Sequence, residues 1–193
     1  MSLEKVISFS EIIGKLKVVN RAGWISQVGI IQPESVADHS FRCAILAMCI
    51  GDLLGANTEK LIRMLLLHDI QESITGDYDS PAKEEIGTPR VTLQEKIAIK
   101  GVLSKLPAKL KKKYYAIWQE CEDKTTREAI LANDIDKIEM LIQALEYEKE
   151  GYDSGKLQAF WTTTQNKIET PIVQELFKLL NDKRISSLRK GQL

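Results

Sequence analysis

The sequence predicts an all-α fold, a single helical bundle. Three observations carry that expectation. Apolar residues recur at intervals of three and four along most of the chain. No sustained apolar/polar alternation bounded by tight turn dipeptides is present. Helix boundaries are marked by proline and glycine at the positions where helices start and stop.

The periodicity places helices near residues 4–18, 35–54, 58–74, 90–104, 107–122, 126–150, 153–165 and 171–182. Ser80-Pro81, Thr88-Pro89 and Thr170-Pro171 each read as an N-cap followed by proline in the first turn. Thr125 with Glu128 has capping-box spacing and opens the longest helix. Gly51 or Gly55, Gly76, and Gly151 or Gly155 are the expected stops. Segment 20–34, with mixed glycine, aromatic and proline content, reads as an ordered connection, and 75–89 as a short irregular region. No repeat or interdomain linker stands out, so one domain is expected over 1–193, with its core at about 8–182 and a basic tail at 185–193 that frays.

At 193 residues, with 44% hydrophobic and 28% charged residues, the composition is that of an ordinary globular protein. Its 27 basic and 27 acidic residues balance, which argues against nucleic acid as a partner and for a small-molecule or protein partner. The first ten residues do not read as a signal peptide. The longest apolar stretch, Cys43 to Gly51, falls well short of the roughly 18 residues that span a bilayer. Three cysteines without a metal-type pair fit reduced thiols and a cytoplasmic location, with no membrane association.

The chain has two histidines, and both lie on apolar faces. His39 shares a stripe with Cys43, Leu46 and Ile50; His68 shares one with Leu61, Met64 and Leu65. Alone, either could be a core histidine with a satisfied hydrogen bond. His68, however, is followed by Asp69, and Glu72 lies one turn further on. Burying two acids there costs several kcal/mol unless a cation compensates. A divalent metal would do so, with imidazole and carboxylate as ligands; Arg63 or solvent at the helix end are the alternatives. Within 126–150 one face carries Ile130, Leu131, Ile135, Ile138, Ile142 and Leu145, and the other Ala129, Ala132, Asp136, Met140, Gln143 and Tyr147. A helix with two such faces is packed on both sides. Asp134 borders the first face and Asp136 sits within the second, where Ala129 and Ala132 leave room for close approach, which favours Asp136 as a fourth ligand.

His39, then His68-Asp69, then an aspartate in the run Asp136-Lys-Ile-Glu-Met resembles the HD-domain metal-dependent phosphohydrolases. The blocks Arg21-Ala-Gly-Trp24, Pro33-Glu-Ser-Val-Ala-Asp-His39, His68-Asp-Ile-Gln-Glu-Ser-Ile-Thr-Gly-Asp77 and Ser80-Pro-Ala-Lys83 resemble the 5'-deoxynucleotidase branch, over about residues 8 to 182. The resemblance implies metal ligation by His39, His68, Asp69 and Asp136. It implies catalytic roles for Glu72, beside the water, and for Asp77, near the substrate. Arg21 would contact phosphate, Trp24 would pack near the sugar, and Lys83 would complete the substrate site. In the bacterial enzymes the arginine and tryptophan are adjacent, whereas two residues separate them here. The implied activity is hydrolysis of 2'-deoxynucleoside 5'-monophosphates by a homodimer carrying one divalent transition metal, Mn or Co, with Mg or Zn as alternatives. Phosphodiester or alarmone hydrolysis, a catalytically silent binding module and a plain helical bundle are the competing readings.

Overall fold

The computed structural model describes residues 3–189 and 191. It is all-α, and the only β pairing among the described residues is an isolated antiparallel bridge between Asn20 and Ser35. Ten helices follow in order among the described residues: α1 (Leu3–Ile13), α2 (Val36–Leu54), α3 (Thr58–Leu67), α4 (Glu72–Thr75), α5 (Ser80–Ile86), α6 (Thr88–Leu103), α7 (Ala108–Asp123), α8 (Arg127–Lys149), α9 (Ser154–Gln165) and α10 (Pro171–Arg189). No helix among the described residues is long and apolar enough to cross a membrane.

The central element is α8, which touches α2, α3, α7, α9 and α10. Its two-faced sequence explains this. Leu131, Ile135 and Ile138 pack with Leu61, Met64 and Leu65 of α3 and Cys43 and Ala47 of α2. Further along, Leu141, Ala144, Leu145 and Tyr147 pack with Trp24, Phe160 and Trp161. A third cluster joins Leu16, Leu67 and Trp118 to Ile99 and Leu103 of α6.

Several boundaries differ from the sequence expectation for identifiable reasons. The expected helix 4–18 ends at Ile13 and tightens into a 3-10 turn, Gly14–Val18. Connection 20–34 contains a five-residue π turn, Trp24–Val28. Region 75–89 is irregular only at 76–79 and at Gly87: Asp79, rather than Ser80, caps α5 by accepting from the Ala82 N–H, and α6 begins directly at Thr88 with Gly87, rather than Thr88, at its N-cap. Thr126, not Thr125, caps α8, because the Glu128 carboxylate turns away to the Asn57 N–H. Gly55, Gly76 and Gly151 have positive φ and stop helices, whereas Gly51 lies inside α2. A Cβ on Gly51 would stand 2.8 Å from Thr58 Oγ1 and 3.3 Å from Thr58 Cα, so that glycine permits the close approach of α3. Finally, α10 continues to Arg189 rather than ending at 182, held by the buried Arg184, which pairs with Glu148 at 2.6 Å. Residues 185–189 are therefore helical rather than frayed, while 190, 192 and 193 lie outside the described residues.

The most consequential difference is the break in the expected helix 58–74. α3 stops at Leu67, and the chain turns through His68–Gln71 with short-range bonds, Glu72 N–H to Asp69 O at 3.0 Å and Ser73 N–H to Ile70 O at 3.3 Å, before α4 begins.

Candidate active site

Three elements bring the sequence-singled residues together. Ser35 and Asp38 form a reciprocal capping box that starts α2 and sets the rotation that points His39 inward, fully buried. The turn after α3 presents His68 and Asp69, and the middle of α8 presents Asp136. The two imidazole Nε2 atoms stand 3.4 Å apart. Asp136 Oδ1 is 3.0 Å from His39 Nε2 and 3.9 Å from His68 Nε2. Asp69 Oδ2 is 3.1 Å from His68 Nε2 and 3.8 Å from His39 Nε2.

The other ring nitrogens fix the tautomers. His68 Nδ1 donates to the Leu65 carbonyl at 2.8 Å, and His39 Nδ1 donates to the Glu139 carboxylate. With both protons on Nδ1, both Nε2 atoms offer lone pairs, and they offer them to each other and to two carboxylate oxygens. Without a cation these atoms are satisfied only when the rings also carry protons on Nε2, a charge that burial opposes but that Asp136 favours on His39 and Asp69 on His68, raising both histidines above the ordinary range. With neutral rings, Asp69 Oδ2 is buried without a hydrogen-bond partner among the described residues. This donor set fits a divalent cation. Arg63, the alternative neutraliser, pairs with Glu59 at 2.8 Å instead. Asp134 faces elsewhere: fully buried, it accepts from the Thr170 N–H at 2.7 Å and the Glu169 N–H at 3.1 Å, tying the start of α10 to α8.

Cys43 also falls within the cluster, with its Sγ 3.6 Å from His39 Nε2. Burial pushes its thiol up to about 12, so it packs there as a neutral group.

Two residues complete the support: Glu139, which sequence reasoning did not single out, and Arg42, which together with Asp38 beside His39 could orient a ligand but reads more readily from sequence as solvent-facing charge. Glu139, fully buried, receives His39 Nδ1–H on one oxygen and Arg42 Nε–H at 2.6 Å on the other. Arg42 also donates to Glu146 at 2.7 Å and to Gln143 at 2.5 Å. The acid one turn after Asp136 and the arginine three residues after His39 were the available signal. Asp38, by contrast, serves the cap of α2.

A cavity of about 230 Å3 opens over the cluster, lined by Arg21, Trp24, Asp69, Glu72, Asp77, Lys83 and Asp136 together with Gln27, Met140 and Phe160. The Asn20–Ser35 bridge closes the loop that carries Arg21 and Trp24 back onto the start of α2. Trp24 is held on three sides: its Nε1–H donates to Glu34 at 3.0 Å, Phe160 lies 4.5 Å away in a tilted stack, and Tyr147 meets it edge-on at 5.3 Å. Asp77 accepts from the Ala22 N–H at 2.6 Å, which ties this loop to the segment after α4. Arg21 Nη1 is 3.6 Å from Asp69 Oδ2, and Lys83 Nζ is 3.7 Å from Glu95.

The electrostatics follow from this crowding. Burial opposes charge on Arg21, yet Asp77 and Asp69 hold its guanidinium charged above the ordinary range. Burial likewise opposes charge on Asp69, but His68 and Arg21 lower its carboxyl to about 2. Glu72 goes the other way: burial, then the charges of Asp69 and Asp77, push its carboxyl well above the ordinary value. Its Oε2 is buried with no hydrogen-bond partner among the described residues.

A family model described as an HD domain matches residues 13–177. This chain belongs to the HD-domain phosphohydrolases, on the 5'-deoxynucleotidase branch. Among curated relatives, "5'-deoxynucleotidase HDDC2" of Danio rerio is 35% identical over 98% of this chain and 92% of its own length. The Dictyostelium discoideum protein of the same name is 37% identical over 94% of this chain and 100% of its own length. Among solved structures, a conserved hypothetical protein from Pyrococcus furiosus superposes with a TM-score of 0.75 at 30% identity, covering 92% of this chain and 98% of that one.

Proposed function

We propose that this HD-domain hydrolase cleaves 2'-deoxynucleoside 5'-monophosphates to deoxynucleoside and phosphate, with one divalent cation held by His39, His68, Asp69 and Asp136. The observation that carries the reading is the pairing of two lone-pair-bearing imidazole nitrogens with two carboxylates beneath a cavity walled by Arg21 and Trp24. The printed names of the curated relatives support it. The cation, Mn or Co with Mg or Zn as alternatives, supplies Lewis acidity toward phosphate and lowers the pKa of a water.

The chain's own residues do the rest. Arg21, kept charged by its acidic neighbours, binds phosphate oxygens through its planar fork. Lys83 adds a second positive charge at the cavity wall. Glu72, whose carboxyl holds a proton readily because it is buried among acids, takes one from water and delivers one to the leaving 5'-oxygen through Oε2. Asp77 orients the sugar from the same wall. Trp24, fixed on three sides, is a rigid surface against which a 2'-hydroxyl is excluded.

The same reading takes residues 1–193 as one HD domain, acting in the cytoplasm as a homodimer on a small-molecule substrate. Balanced charge and three free cysteines support the location and substrate class. Phe41, Ile45 and Met48, exposed along one stripe of α2, offer an apolar face for a twofold contact.

The test is phosphate release from dAMP, AMP, a cyclic nucleotide and a guanosine tetraphosphate, each with Mn, Co, Mg and Zn. Metal-dependent release that favours dAMP is the expected result. Turnover confined to the cyclic nucleotide or the tetraphosphate would replace the assignment with another HD chemistry, and a folded protein silent on all four would make it a binding module.

A further inference from the structure

A second cavity, of about 220 Å3, reaches the same cluster beside Cys121 and Glu122 of α7, with neither Arg21 nor Trp24 in its lining. The two cavities share Asp69, Glu72, Lys83 and Asp136; along α8 the first takes Met140 beyond Asp136 and the second Ala132 and Asn133 before it, so the shared residues stand between two chambers. The chambers differ in chemistry. The first offers the rings of Trp24 and Phe160. No Phe, Tyr or Trp lines the second, whose own walls are mainly polar: Gln71, Glu95, Glu122, Lys124 and Asn133. A nucleoside finds nothing to stack on there, and the acids repel a second phosphate. Several waters, at roughly 30 Å3 and two to four polar partners each, fit such a space.

Displacement at phosphorus puts the attacking and leaving oxygens roughly in line, on opposite sides of the phosphorus atom. The leaving group is the 5'-oxygen of the nucleoside, and the aromatic chamber is the one built for a nucleoside. The attacking oxygen therefore comes from the other side. We propose that the second chamber is the nucleophile side of the site: it holds and supplies the water that attacks phosphorus across the shared wall. This inference rests on the nucleotidase reading. The O–P bond to water forms as the P–O5' bond breaks. One proton of the water stays on the phosphate, and the equivalent of the other reaches the leaving oxygen through Glu72, which lines both chambers. The Lys83–Glu95 pair, at 3.7 Å, props the wall between them.

The test is a split between kcat and KM. Asn133, on α8, lines only the second chamber, and its side chain makes no hydrogen bond among those described. Asn133→Phe fills the chamber, and Glu122→Trp narrows it from α7, so the two plugs do not share a folding risk. Each variant is assayed with dAMP and Mn, checked by its melting temperature, and titrated calorimetrically with deoxyadenosine. The expected result is a fall in kcat of about tenfold or more with KM within about twofold. Deoxyadenosine affinity stays at the wild-type level. Folded plugs that turn over at the wild-type rate, or that raise KM while sparing kcat, overturn the proposal. Wild-type protein that fails to hydrolyse dAMP overturns the nucleotidase reading instead, so the two failures are told apart.

Discussion

Replacing Glu139 with glutamine tests how the centre is built without reference to turnover. Glu139 is fully buried, and both of its oxygens accept: one from His39 Nδ1–H, the other from Arg42 Nε–H at 2.6 Å. Glutamine has the same size, but its amide nitrogen donates. In one orientation it faces Arg42 Nε–H with a donor; in the other it faces His39, whose proton then moves to Nε2 and points at Asp136 and His68. The first orientation strands a buried donor at a cost of about 1–3 kcal/mol, and the second blocks a ligand atom. Loss of such an outer hydrogen bond typically weakens metal binding by about 10–100-fold, or about 1.4–2.8 kcal/mol at about 1.4 per tenfold. Calorimetric titration of Mn2+ into wild type and Glu139→Gln above the histidine titration range, with melting temperatures alongside, measures both effects. A folded variant that binds Mn2+ within about threefold of wild type would refute the argument that Glu139 sets the His39 tautomer.

Glu72→Ala should leave metal bound, by elemental analysis, while phosphate release falls by about a hundredfold or more; unchanged rates would remove Glu72 from proton transfer. Arg21→Met should lower kcat/KM for dAMP by about 10–100-fold, the worth of a hydrogen bond to a charged group, and an unaltered kcat/KM would place phosphate elsewhere. Burial and then Glu139 push the Glu34 carboxyl up to about 7 from 4.5; a raised acid binds more protons folded than unfolded, so its penalty is absent below 4.5, grows as pH rises from 4.5 to about 7 and is complete above that. Glu34→Gln should therefore melt with wild type at pH 4.5 but be more stable at pH 8, by at most about 3 kcal/mol, and a variant less stable at pH 8 contradicts the sign.

The helical class and the course of α2, α7, α8 and α9 were legible because their apolar residues keep helical spacing and their ends carry caps. Asp136 was legible because Ala129 and Ala132 flank it on α8, both fully buried. The break after Leu67 was not, since neither glycine nor proline marks it and the turn's short-range bonds keep the apolar stripe in phase. α5 is seven residues long, too short for periodicity to show. Arg184 fell outside the expected core of 8–182 because its partner, Glu148, sits 36 positions away on another helix. Glu139 escaped, and Arg42 read as solvent-facing charge, for the same reason: the two become a pair only when α2 lies against α8.

The turn after Leu67 is where the acids of the site gather. The backbone at His68 and Gln71 keeps helical dihedrals, so the apolar stripe stays in phase. His68 Nε2 and Asp69 Oδ2 stand 3.1 Å apart, and buried Glu72 lines the same cavity as Asp69. Unwinding a buried helix end frees carbonyls that need donors. Trp118 of α7, only 1% exposed, donates its Nε1–H to the His68 carbonyl at 3.3 Å and to Gln71 Oε1 at 3.1 Å, while His68 Nδ1 returns to the Leu65 carbonyl. Under the proposed ligation, the His-Asp pair sits on a turn whose His68 carbonyl is satisfied by an indole fifty residues away, so Trp118 belongs to the construction of the site although it lines neither chamber.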